Sequence, residues 1–138
     1  MSPFNQEELP HAVMSACMEV HRELGPGLPQ EAYLAALAQE LRMRELFFDR
    51  DRPLQVFYKG ALLDVQQKVD FVVEDSIVID CQSDDSHGAA DKRRLINSLR
   101  LGGYEVGFLV DFAVPDFRDG IKRVIVSGET PKVPWKEA

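Results

Sequence analysis

The chain has 138 residues, which suits one domain with one core, since domains run to roughly 100–200 residues. With 45% hydrophobic and 28% charged residues, it has enough apolar surface to fold without metal or disulfide staples, and this excludes intrinsic disorder for most of its length. A formal charge of −7 opposes broad attraction to nucleic acid, so any phosphate-binding role must depend on a local patch or a bound cation. No run approaches the roughly 18 apolar residues of a membrane helix, and the first residues are acidic where a signal peptide would be basic and then apolar. The expectation is a soluble, cytoplasmic protein with no membrane partner. Cys17 and Cys81 are too few and too far apart for a disulfide framework or a zinc ribbon, and both are read as reduced.

From about Glu7 to Leu24, the residues Leu9, Val13, Met14, Cys17, Val20 and Leu24 recur at three- and four-residue spacings, which predicts one apolar stripe on a helix. Pro10 fits its first turn. Gly25-Pro26-Gly27 must stop that helix, because the glycines allow left-handed dihedrals and the proline cannot continue the ladder. A second helix is predicted from near Pro29 to Arg44, burying Ala32, Tyr33, Ala36, Leu37 and Leu41. The two form a helix hairpin.

After Arg44 the period shortens. Phe47 and Phe48, then Leu54, Val56 and Tyr58, and after a turn at Lys59-Gly60 the run Leu62, Leu63, Val65, alternate as strands do. The clearest strand signal is Val69 to Val73, a turn at Glu74-Asp75-Ser76, then Ile77 to Gln82. A third helix is predicted from about Ala89 to Leu101, with Leu95, Ile96 and Leu99 inward and Lys92, Arg93, Arg94 and Arg100 largely outward, ended by Gly102-Gly103. Val106, Phe108 and Val110, then Ile121, Val124, Ile125 and Val126, give two more strands. This order predicts a single α/β domain over residues 1–128 with a mixed central sheet flanked by helices. The Pro-rich segment 129–138 is expected to be a loosely held tail.

Asp70 and Asp80 both interrupt apolar strand runs, where an ionised carboxylate is costly unless positive charge is near. With the turn centred on residues 74–76, positions 70 and 80 lie nearly opposite, and their side chains can share a face. Mutual repulsion is relieved most simply by a divalent cation, and hard carboxylate oxygens suit Mg²⁺. Gln82 shares the face of Asp80 by the strand period of two, while Cys81 points into the core.

The segment His21 to Tyr33, with Gly25-Pro26-Gly27 inside it, followed by Asp70 and by Asp80-Cys81-Gln82, resembles the GxxExxY family of the PD-(D/E)XK nuclease-like superfamily. The resemblance implies a restriction-endonuclease-like fold. It further implies that Asp70 and Asp80 hold Mg²⁺, for which Mn²⁺ can substitute, and that the residue at 82 positions the attacking water, assisted by a side chain on the preceding helix. Metal and lysine together would stabilise charge on a scissile phosphate and generate hydroxide. Gly27 and Tyr33 match the family signature, but the glutamate expected between them is Gln30, with Glu31 displaced by one position and so about 100° around the helix. The lysine is replaced by Gln82, and the helix that carries a Gln and a Tyr in relatives has Arg94 and Ser98.

Gln30 removes a negative charge from a metal shell but keeps an oxygen ligand; Gln82 removes a positive charge and leaves a neutral amide to orient water. The divergent site points to a pseudoenzyme, a nuclease-derived binding or assembly module that needs no cofactor. The alternative is a Mg²⁺-dependent DNA or RNA phosphodiesterase using Asp70, Asp80, Gln82 and Gln30. Plainer readings stand beside these: carboxylates solvated at strand ends, Tyr33 as a core aromatic with its hydroxyl on a polar group, and Glu31 as a favourable charge at a helix start. Lys92-Arg93-Arg94 is either a solvated helix face or a local contact for phosphates. The acidic surface suggests a protein partner as readily as DNA, and the resemblance implies a homodimer, since many small nuclease-like domains act in pairs. His87 stands in the loop after the hairpin, and His11 and His21 do not form a metal spacing.

Overall fold

The computed structural model describes residues 7–82 and 88–126. His87, Asp84, Asp85 and the tail 129–138 lie outside the described residues, and so does the domain boundary set at 128. In chain order the elements are α1 (Glu8–Leu24), α2 (Gln30–Met43), β1 (Phe48–Tyr58), β2 (Ala61–Val73), β3 (Ile77–Cys81), α3 (Gly88–Gly102), β4 (Val106–Val110), a single 3-10 turn (Phe117–Asp119) and β5 (Ile121–Ile125).

The strands form one sheet in the order β1-β2-β3-β4-β5. Neighbours are antiparallel except β3 and β4, which run parallel, because α3 carries the chain back between them and a parallel pair needs such a crossover. β3 is buried along its whole length, which is why Ile77-Val78-Ile79 reads as an unbroken apolar run. One face of the sheet packs Phe71, Val73, Ile77, Ile79, Cys81, Phe108 and Val110 against α1 and α2. The other packs Leu54, Val69, Val72, Val78 and Leu109 against Leu95 and Leu99 of α3.

Two expected strand segments, 62–65 and 69–73, are one continuous β2, paired with β1 through most of its length. The polar Gln66-Gln67-Lys68 step does not break it, because the hairpin arm is exposed there and needs no apolar face. Pro53 is tolerated since β1 is an edge strand. Lys59 and Gly60 both take positive φ, 50° and 82°, as a two-residue hairpin turn requires. On α1 the buried stripe holds Leu9, Val13, Cys17 and Val20 as expected, but Leu24 is exposed and His21 is buried. The His21 ring stacks on Phe117, with centroids 4.9 Å apart, and its Nε2 lies 2.7 Å from the Val114 carbonyl. Among the described residues no helix is long and apolar enough to cross a membrane.

Candidate functional site

The β2–β3 register, Phe71↔Ile79 through Val73↔Ile77, brings Asp70 beside Asp80. Alternation along β2 breaks at this point: Val69 and Val72 pack on the α3 face, while Phe71 and Val73 pack on the other. The Asp70 carboxylate takes over as acceptor for the neighbouring strand, with Oδ2 receiving the Cys81 N–H at 2.8 Å. The two carboxyls lie close enough for the charge of Asp70 to act on Asp80.

Asp80 is the buried member, with 3% of its side chain exposed, and its Oδ2 lies 3.2 Å from Arg94 Nη2 on α3. Burial, and after it the charge of Asp70, push its carboxyl up from 3.8 to about 7, while Arg94 pulls the other way. A carboxyl in that state keeps its proton below about pH 7, which spares the pair a second negative charge there.

The sequence reading turns the Asp70–Asp80 hairpin toward both the second helix and the helix beginning near Ala89; of the two, α3 is the one that lies on the side of Asp80. The reason is the pleat. Asp80 alternates with Ile79 and Cys81, which point at α1 and α2, so its side chain falls on the α3 face. Gln82 follows Asp80 by two and reaches the same helix, where its Nε2 donates to Asp91 Oδ2 at 2.9 Å while its own N–H bonds the Val110 carbonyl. Gln30 approaches from the other side, and its Nε2 lies 3.3 Å from the Cys81 carbonyl. Glu31 is exposed in the first turn of α2.

Of the basic cluster, Lys92 and Arg93 are exposed as expected, but Arg94 turns toward Asp80. The signature residues serve the α1–α2 turn. Tyr33, 3% exposed, donates from its hydroxyl to the Gly25 carbonyl at 2.5 Å and accepts the Leu28 N–H at 3.1 Å. Its ring stacks on Phe112. Gly27 holds φ at 107°, a conformation that disfavours any side chain.

Sequence reasoning missed Gln67, and it noted Ser98 only as a departure from the family pattern, not as a hydrogen-bond partner. The Gln67 amide donates to Ser98 Oγ and, at 3.2 Å, to the Arg94 carbonyl, tying β2 to the turn of α3 that carries Arg94. The signal was present: Asp91, Arg94 and Ser98 stand at i, i+3 and i+7, one polar stripe beside the inward Leu95 and Leu99.

As arranged, this donor set does not fit a divalent cation. Asp70 is bonded to a backbone N–H and Asp80 to a guanidinium, and both glutamines spend their amides on protein partners. Among the described residues no group of three or more His, Cys, Asp or Glu side chains is placed to hold a metal ion.

A mixed five-stranded sheet with helices on both faces, and paired acids on a central hairpin, defines a nuclease-like α/β domain. The sequence profile of the PD-(D/E)XK nuclease superfamily matches residues 7–124, and the chain belongs to that superfamily. Comparison with curated proteins and with solved structures gives no match.

Proposed function

We propose that this domain keeps the PD-(D/E)XK fold as a binding or assembly module and does not turn over phosphodiesters. The observation that supports this most directly is Gln82, which stands where the family resemblance puts a lysine and gives its amide to Asp91. A neutral amide held by a carboxylate neither activates water nor offsets charge on a phosphate. The exposed Lys92 and Arg93 on α3 form the surface through which a nucleic-acid backbone would be met, against an overall charge of −7. That contact would be strongly weakened by salt.

The test is incubation of the purified protein with single- and double-stranded DNA and RNA in Mg²⁺ or Mn²⁺. No cleavage is expected, and binding to duplex, where present, should weaken in Lys92→Glu/Arg93→Glu. Cleavage that disappears in Asp70→Asn would overturn the proposal. It would establish the second reading, Mg²⁺-dependent hydrolysis by Asp70, Asp80, Gln82 and Gln30, which the meeting of the two carboxyls favours.

A further inference from the structure

We infer that Arg94 is the resident cation of this site, its guanidinium serving as counter-charge for the Asp70–Asp80 pair and keeping a divalent ion out. The inference deepens the non-cleaving reading and rests on it. Three observations carry it. The Arg94 side chain is 52% exposed while that of Asp80 is 3% exposed, so the guanidinium joins the buried carboxyl to solvent and occupies its approach. The positive charge that residue 82 lacks on the strand is thereby supplied from the facing helix. Finally, Gln67 holds the Arg94 carbonyl and the Ser98 hydroxyl, so the turn presenting the arginine is pinned to the same strand that carries Asp70.

The pairing is a permanent one in physical terms. A carboxylate pair with an attached guanidinium has half of its charge neutralised when both acids are ionised, and an arriving dication would face the fixed positive charge at close range before reaching an oxygen. Arginine keeps its proton at any working pH, so nothing short of displacing the side chain vacates the position. Removing the guanidinium should therefore expose two adjacent carboxyls with the oxygen chemistry that Mg²⁺ and Mn²⁺ prefer.

The experiment is Mn²⁺ titration at pH 8, read by calorimetry and by the loss of the free-ion electron-spin-resonance signal, on the full chain and on Arg94→Gln. The wild type is expected to bind no Mn²⁺ at this site. Arg94→Gln should bind at least about tenfold more tightly than any wild-type background, and Arg94→Gln/Asp80→Asn should lose that gain. Arg94→Lys, which keeps the charge, should behave as wild type. If Arg94→Gln folds poorly, Mn²⁺ should raise its melting temperature and leave that of the wild type unmoved.

Wild-type binding that Asp80→Asn abolishes would overturn the inference, as would a variant that neither binds Mn²⁺ nor is stabilised by it. Failure of the parent reading looks different: it is cleavage of nucleic acid by the wild type, whatever the outcome of the titration.

Discussion

Asp80→Asn replaces the buried carboxyl with a neutral group of the same shape, and its effect on stability depends on pH in a direction the structure dictates. Folding raises the Asp80 carboxyl from 3.8 to about 7, so the folded state holds this proton more tightly than the unfolded chain does. The resulting stability is fully present below about pH 4 and is lost as pH rises through about 7. At about 1.4 kcal/mol per tenfold change in proton affinity, the displacement amounts to about 4 kcal/mol across that window. This is a large share of the roughly 5–15 kcal/mol that stabilises a domain. Asparagine cannot ionise, so it adds no second negative charge beside Asp70 at any pH. Arg94 is half exposed and is left to solvent. Urea unfolding from pH 5 to pH 8.5 should show the wild type weakening relative to Asp80→Asn as pH rises, with the variant the more stable above about pH 7. Parallel pH profiles for the two proteins would refute the reasoning, because they would mean that Asp80 titrates alike in the folded and unfolded chains.

Two further substitutions test how the site is held. Tyr33→Phe deletes the hydroxyl that bridges the Gly25 carbonyl and the Leu28 N–H, and should cost about 1–3 kcal/mol in a thermal melt; an unchanged melting temperature would show that the turn closes without it. Leu99→Ala hollows the contact between α3 and the sheet at a position with no exposed surface, where such truncations cost about 2–5 kcal/mol. A loss below about 1 kcal/mol in urea unfolding would mean that α3 is not seated on Val72, Val78 and Leu109 as described.

Much of the fold was legible before any coordinates. The glycine-proline-glycine break, the 3.6 period of α1 and α2 and the alternation from Phe48 onward are local signals, and each needs only its own neighbours to be read. The continuity of β2 was not legible, because Gln66-Gln67-Lys68 has the composition of a connection, and what keeps it extended is the partner strand alongside. The acids were found because charge inside an apolar strand is anomalous wherever it occurs. Arg94 was counted with Lys92 and Arg93, since adjacent basic residues look alike in sequence and differ only in which way the helix turns them.

By itself the amino-acid sequence determined the order of elements, the hairpin that carries Asp70 and Asp80, and the two glutamines where the resemblance calls for glutamate and lysine. Tertiary structure alone decided which of the two facing helices lies on the side of Asp80 and what neutralises the acids. Strand alternation sends Asp80 to one face, but which helix lies on that face depends on how the chain crosses the sheet. The meeting of Arg94 with Asp80, 14 positions apart, comes from packing Leu95 and Leu99 onto the sheet, a contact that no local pattern specifies.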